Sequence, residues 1–203
     1  MDQSGRLRQM DWEKYRRKME PVNRWVEDAR HAGGFPNVAR AVEARLQTET
    51  DEEIRRSLNF ELAGAYNMTG RYDEAERIYL MLFNQSPDEP VPLMCLAGQK
   101  LYFEEDPAAA MPVIDRAIEA AYRSCNFRRA TLGVKARIAL AQEKFDIVED
   151  VLRRLLQLTH DKHGVDIAPE RDFFDRLPPG AINETVARRF DHYSRRASRP
   201  AKA

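Results

Sequence analysis

The stretch that decides the fold covers residues 59–87 and reads NFELAGAYNMTGRYDEAERIYLMLFNQSP. Leu62 and Tyr66 stand four residues apart, so in a helix they lie on the same face. Gly70 supplies a residue that accepts the positive φ of a tight turn. Pro87 cannot continue a second helix and pushes the residue before it toward extended geometry. The pattern therefore predicts two helices joined by a short turn.

The same stretch resembles one tetratricopeptide repeat (TPR), whose pattern runs W-x2-L-G-x2-Y, then A-x3-F, then P. The matching residues are Leu62, Tyr66, Ala75 and Pro87, while Tyr79 stands for the Phe, Asn59 for the Trp and Ala63 for the Gly. The resemblance implies an all-α fold, a TPR-like solenoid of helical hairpins that forms a right-handed superhelix, with helical extensions at both ends. It also implies a scaffold that binds proteins or peptides.

Two weaker repeats follow the first one. Leu96 lies 34 residues after Leu62, at the period of the family (96 minus 62). Residues 144–146 (KFD) repeat the turn chemistry of residues 71–73 (RYD). Because each repeat must bury one face on a neighbour, three stacked units are enough for a stable array. We therefore predict three repeats within residues 51–158.

The segments outside these repeats are predicted from the residues that end, kink or cap helices. Gly33 and Gly34 should end the first N-terminal helix, in which Pro21 is a weak point. Thr50 or Asp51 should cap the helix that follows. The predicted organisation is a loose N-terminus (1–10), N-terminal helices that resemble a degenerate repeat (11–50), the three repeats (51–158), a C-terminal capping segment (159–193) and a disordered basic tail (194–203).

A solenoid also needs its terminal hydrophobic faces covered. We expect the first repeat to be covered by Trp12, Trp25 and Val26, and the third by Phe173, Phe174 and Phe190. Residues 183–193 are predicted to form a last helix with Asn183 as its cap.

The partner-binding groove is predicted from the resemblance, because the first helix of each repeat lines the concave surface in this family. The candidate groove residues are Phe60, Glu61, Gly64, Asn67 and Met68 in the first repeat, Met94, Cys95, Gly98 and Tyr102 in the second, and Arg137 and Ala141 in the third. Aromatic and sulfur-containing side chains suit a helix or an extended peptide with apolar anchors. In the alternative reading, these side chains complete the core or are covered by the C-terminal segment.

One subclass of the family binds the C-terminal carboxylate of chaperones through a Lys and an Asn in the first helix of its first repeat. Phe60 and Gly64 stand at the matching places. The sequence therefore does not support a chaperone-tail clamp.

Composition restricts the classes of function. The 203 residues include 33 basic and 33 acidic ones, so the formal net charge is +0, whereas a general nucleic-acid binder usually carries a basic excess.

No window approaches the ~20 apolar residues of a membrane helix, and the polar first ten residues predict no secretory signal. Cys95 and Cys125 form no C-x-x-C motif and are expected to be reduced thiols in the cytoplasm.

Two further clusters carry weaker signals. His160 and His163 are three residues apart and could meet on one helical turn, but no third histidine follows at ligand spacing, so no metal site is predicted. Arg195, Arg196 and Arg199 belong to the basic tail, which is typical of a solubilising end. None of the phosphate-binding or nucleophile motifs is present, so neither an enzyme nor a cofactor is predicted.

The functional prediction is therefore a non-enzymatic adaptor or scaffold that binds a peptide or helix of a partner protein in its groove. Two alternatives stay open: a dedicated assembly or secretion chaperone, a role that small three-repeat members play in bacteria, and a metal-binding or enzymatic accessory protein that uses His160 and His163. No nucleic acid and no membrane is expected as a partner, and a homodimer stays open.

Overall fold

The structure of the protein is a computed structural model that describes residues 12–158, 173 and 176–189. The described residues form helices and turns, without a strand: α1 (Trp12–Leu46), α2 (Glu52–Met68), α3 (Tyr72–Gln85), α4 (Val91–Tyr102), α5 (Pro107–Ser124), α6 (Arg128–Ala141), α7 (Phe145–Gln157) and a short α8 (184–189). The all-α prediction is confirmed. The chain divides into two compact units, residues 1–78 and residues 79–203.

In unit 1, α1 is broken into two arms at its pair of glycines. Gly33 has φ −174° and ψ 24°, and Gly34 has φ 67° and ψ −163°, so neither residue is helical. A Cβ on Gly33 would lie 2.9 Å from the Cβ of Asn37, whose Nδ2 donates to the carbonyl of Ala29 at 2.7 Å. The side chain of Asn37 therefore bridges the break. The helical backbone continues through Pro21.

The start of α2 is fixed by the predicted cap. The carboxylate of Asp51 accepts hydrogen bonds from the backbone N–H groups of Glu53 and Ile54, each at 3.1 Å. Lys18 on α1 binds the carboxylates of Asp51 at 2.7 Å and Glu53 at 2.6 Å. The hydrogen bond from Lys18 lowers the pKa of Asp51, and the pair holds the first arm of α1 against the beginning of α2.

The far end of α2 is held to the second arm of α1 by a polar contact. The hydroxyl of Tyr66 donates to Glu43 at 2.5 Å, and the guanidinium of Arg71 lies 3.9 Å from the centroid of the Tyr66 ring. Burial, followed by the hydrogen bond to Glu43, raises the pKa of Tyr66 to about 12. The tyrosine of the repeat pattern thus both fills the core and ties two helices together.

Unit 2 is built from helices that pack on their neighbours in chain order. Helix α4 packs on α5, α5 on α6 and α6 on α7, and α4 also contacts α6 directly. The largest fully buried side chains of this core are Leu82, Leu93, Leu96, Gln99, Ile114, Leu132, Ile138 and Leu152. Fully buried alanines, among them Ala97, Ala110, Ala117 and Ala136, let the helix axes approach closely.

The turn inside each repeat uses one residue with positive φ. Gly70 has φ 76°, and the equivalent turns of the second and third repeats place Glu105 at φ 54° and Glu143 at φ 56°. Only the first turn uses glycine, so the other two lack its sequence signal. Pro112 lies in the second turn of α5, and the helix continues past it.

The C-terminal part that the structure describes is attached to α7. The backbone N–H of Asn183 donates to Glu149 at 2.8 Å, and its side-chain oxygen accepts from the N–H of Thr185 at 2.9 Å, as expected of a cap. Phe173 and Val186 are buried, with 3% of each residue exposed. Of the expected covering residues, Val26 is buried and Trp25 is half-buried under the guanidinium of Arg45, while Phe174, Phe190 and the side chain of Trp12 lie outside the described residues.

Candidate functional site

In unit 2, the predicted groove residues of α4 form one continuous stripe. Met94, Gly98 and Tyr102 follow one another at intervals of four residues, and Cys95 stands three before Gly98, so all four share one side of the helix. The opposite side of α4 is packed into the core, where Leu93, Leu96 and Ala97 are at most 1% exposed. The stripe is thus the side of α4 that the core leaves open.

Exposure increases along this stripe toward the end of α4. Met94, Cys95 and Gly98 are half-buried, whereas Tyr102 has 57% of its surface exposed. A Cβ placed on Gly98 would meet no atom within 4 Å. The space over Gly98 is therefore open, and no packing requirement of the fold calls for glycine at this position.

The thiol of Cys95 behaves as a small apolar group in this stripe. Burial, with a smaller contribution from the negative charge of Glu89, raises the pKa of Cys95 to about 11. A thiol with this pKa remains protonated near neutral pH and is a poor nucleophile or metal ligand. Both cysteines are free, and Cys125 is exposed.

Helix α6 contributes the other side of the candidate surface in unit 2. Arg137 is half-buried and Ala141, one turn later, is exposed. Val134 lies one turn before Arg137 and is also half-buried, so it belongs to the same side of α6. Val134 was not among the predicted groove residues, although the helical period counted back from Arg137 points to it. We call the stripe of α4 together with this side of α6 the α4/α6 face.

In unit 1, the predicted groove residues of α2 are more engaged with the rest of the unit. Phe60 is half-buried, with the guanidinium of Arg56 at 5.6 Å from its ring centroid. Glu61 lies 3.8 Å from Arg30 of α1, and burial raises its pKa above the ordinary value. Both side chains therefore already have contacts within unit 1.

The remaining candidates of α2 divide into open and buried positions. Met68 is 51% exposed, and a Cβ on Gly64 would meet no atom within 4 Å. Asn67, in contrast, is only 6% exposed. We therefore leave Asn67 out of the binding surface, because its side chain is buried.

Neither of two open depressions in the described part of the chain is lined by a predicted groove residue. One of about 340 Å³ is lined by Glu20, Pro21, Arg24, Trp25 and Asp28, and the other, of about 190 Å³, by Arg153, Leu156, Gln157, Thr185, Val186 and Arg189. Within the described part of the chain, no three His, Cys, Asp or Glu side chains are grouped to hold a metal ion. His160 and His163 lie outside the described residues. None of the described helices is long and apolar enough to cross a membrane.

Comparison with known proteins identifies the fold. No protein-family model and no curated protein matches the sequence. A kinesin light chain protein from Podosopora anserina, with nearly identical TPR-like repeats, is similar in structure: the TM-score is 0.58 at 12% identity, over 90% of this chain and 98% of that chain. BtubC from P. vanneervenii gives a TM-score of 0.63 at 14% identity, over 91% of this chain and 84% of that chain. The protein therefore has a tetratricopeptide-like repeat fold.

Proposed function

We propose that the protein is an adaptor whose repeats bind a segment of a partner protein through the open sides of their first helices. In unit 2 this surface is the α4/α6 face. In unit 1 it is the side of α2 that carries Phe60, Gly64 and Met68. The observation that carries the proposal is the stripe of α4, where apolar side chains and an unobstructed glycine lie opposite the packed core.

The chemistry of the α4/α6 face favours a peptide or helix with apolar anchors. Met94 is flexible and polarisable, so it adapts to the shape of an inserted side chain. Tyr102, with 57% of its surface exposed, offers both an apolar ring and a hydroxyl, a combination that is enriched at protein interfaces. Arg137 supplies a charge at the edge, which sets orientation more than affinity.

The setting proposed for this adaptor is the cytoplasm of a bacterium. The free thiols of Cys95 and Cys125 support a reducing compartment, because disulfides form mainly in oxidising ones. The buried thiol of Cys95 needs no pairing partner, since its protonated form is stable in this environment.

The proposal is tested by retention of partners from a native cell extract on the immobilised protein. The double variant Met94→Ala/Tyr102→Ala removes the two largest apolar groups of the α4/α6 face. Central contacts of this type commonly carry ~2 kcal/mol or more, so the affinity for the retained partner should fall at least ~30-fold. Met81→Ala is the matched control, because Met81 is 38% exposed but lies on α3, outside this face.

Partners that are lost with the double variant and kept with the control support the adaptor function. Equal retention by all three proteins contradicts it. Sedimentation of the same variants shows whether the occupant is a second copy of this chain, in which case the double variant shifts the protein from dimer to monomer.

A further inference from the structure

A second surface of unit 2 combines an exposed aromatic ring with two arginines. Tyr122, near the end of α5, is 38% exposed. The guanidinium carbon of Arg128, at the start of α6, lies 4.9 Å from the centroid of this ring, and that of Arg154, in the last turns of α7, lies 5.6 Å from it. Phe127 precedes Arg128 and is also 38% exposed. We call these four residues the Tyr122 cluster.

Both arginines are held in place by contacts other than ion pairs. The Nη2 of Arg128 donates to the carbonyl of Tyr122 at 3.5 Å and lies 2.9 Å from the sulfur of Cys125. The Nη2 of Arg154 donates to the hydroxyl of Tyr122 at 3.3 Å. Their side chains are therefore ordered before any ligand binds, which lowers the entropic cost of binding.

The turn between α5 and α6 keeps the second ring at the surface. Cys125 has φ 59° and Phe127 has φ 58°, so two residues other than glycine adopt the left-handed conformation within three positions. Such conformations are uncommon for a bulky residue and persist only where the surrounding structure holds them. At Phe127 this backbone leaves an aromatic ring exposed directly before an arginine.

The charge of the two arginines is not compensated within the described part of the chain. Neither Arg128 nor Arg154 has a carboxylate oxygen within 4.0 Å among the described residues. Arg123, at the same end of α5, differs from them because it pairs with Asp88 at 2.9 Å. The Nε of Arg128 is moreover buried and makes no hydrogen bond there. The cluster therefore presents two oriented guanidinium groups to which no described residue offers an acidic partner.

We propose that the Tyr122 cluster binds an acidic segment of a partner protein, in which carboxylates alternate with apolar side chains. Guanidinium groups bind carboxylates through paired, charge-assisted hydrogen bonds, and two groups on one ring match two acidic side chains of an extended segment. The apolar side chains of the segment pack on the exposed rings of Tyr122 and Phe127. This surface shares no residue with the α4/α6 face.

A polypeptide fits this surface better than a nucleic acid does. Glu119 lies one helical turn before Tyr122, and Asp150 lies one turn before Arg154; both carboxylates are exposed. A phosphate backbone that crosses the cluster would meet these charges, and the formal net charge of +0 offers no broader attraction. A short acidic segment needs only the two guanidinium groups.

Fluorescence anisotropy of the full chain with a short fluorescein-labelled peptide, in which glutamates alternate with phenylalanines, tests this inference. The peptide should bind at low salt and lose affinity as salt rises. Arg128→Gln/Arg154→Gln should weaken binding at least about tenfold, since charge-assisted hydrogen bonds are lost at both positions. Arg123→Gln is the control: it removes one positive charge from the end of α5 that carries Tyr122, and it should change affinity less than about twofold because Arg123 is already paired with Asp88.

Circular dichroism of each variant verifies that the helices are intact. Placing lysine instead of glutamine at position 154 keeps the charge, so Arg128→Gln/Arg154→Lys should bind more tightly than Arg128→Gln/Arg154→Gln. Any one of the following peptide results overturns the inference: no binding of the acidic peptide to the wild-type chain, equal binding of a peptide with glutamine in place of glutamate, an unchanged affinity in the double variant, or an equally large loss in Arg123→Gln. Tighter binding of a labelled single-stranded oligonucleotide, with the same dependence on Arg128 and Arg154, also overturns it.

Discussion

Replacing Gly98 by alanine should make the protein more stable, although glycine stands at the centre of the candidate binding surface. Gly98 lies inside α4, and an added Cβ would meet no atom within 4 Å. The methyl group therefore costs no packing strain. The substitution should also lower the entropy of the unfolded chain, which favours folding.

The expected gain follows from the difference in helix propensity. Glycine is less favourable than alanine by about 0.8–1.0 kcal/mol in a helix interior, and the full difference should be visible because the site is open. For a protein of this size, a change of about 1 kcal/mol shifts the thermal midpoint by roughly 2–4 °C. Gly64→Ala in α2 has the same open surroundings and should give a similar gain.

Gly70 provides a control with the opposite sign. A Cβ on Gly70 would also meet nothing within 4 Å, but its φ of +76° strains any residue that carries a side chain. Gly70→Ala should therefore destabilise the protein by about 1–2 kcal/mol. The added group and its open surroundings are the same in both variants, so the backbone conformation alone decides the sign.

Thermal and urea unfolding, both followed by circular dichroism, measure the three variants against the wild type. A loss of stability in Gly98→Ala would refute the reasoning, because it would mean that atoms of the folded protein occupy the space over Gly98. In that case the α4/α6 face would be part of the core rather than an open surface. An increase in the stability of Gly70→Ala would contradict the positive φ of Gly70, on which its role in the turn rests.

Three further variants and one control test the packing and the electrostatics of unit 1. Ala75→Leu should cost ~1–3 kcal/mol by overpacking, since Ala75 is fully buried, whereas the exposed Arg77→Leu on the same helix should stay within about 0.5 kcal/mol in urea unfolding. Tyr66→Phe should cost about 1–2 kcal/mol at neutral pH, because its hydrogen bond to Glu43 is lost. The pKa of Tyr66 is raised to about 12 in the folded protein, so the hydroxyl's contribution to the free energy of unfolding is lost as the pH rises from about 10 through about 12. Over this range of pH, Tyr66→Phe should therefore lose less stability than the wild type. The pKa of Asp51 is lowered in the folded protein, so the carboxylate's contribution to folding stability is present above about pH 4 and is lost as the pH falls further. Asp51→Asn keeps a side chain that can cap the helix, and its stability should therefore fall less steeply in acid than that of the wild type.

The parts of the fold that could be predicted are those decided by local chemistry. Gly33 and Gly34 break α1, Asp51 caps α2 and Gly70 makes a turn with positive φ, each as a consequence of one residue type at one position. The buried alanine of the repeat, Ala75, follows from the close approach of helices that the pattern requires. Such signals are visible in the sequence because they do not depend on distant residues.

The parts that could not be predicted depend on contacts between distant positions. Arg154 reaches Tyr122 from 32 residues further along the chain, and no spacing rule connects the two. Asn67 is buried although it lies next to the exposed Met68, and its burial depends on tertiary packing that the polar residue type does not signal. The turn before α7 was predicted from residues 144–146, but its positive φ falls on Glu143, a residue type that gives no signal of this conformation.

Site-specific photo-crosslinking in native cell extract tests the central claim, that the α4/α6 face holds the partner, most directly. A photoreactive amino acid is placed at position 102, where Tyr102 is 57% exposed, and in a second protein at position 81, where Met81 is 38% exposed on α3. We predict a discrete adduct with one partner protein from position 102, reduced by the second change Met94→Ala, and no such adduct from position 81. Equal adducts from both positions, or an adduct from position 81 alone, would contradict the claim.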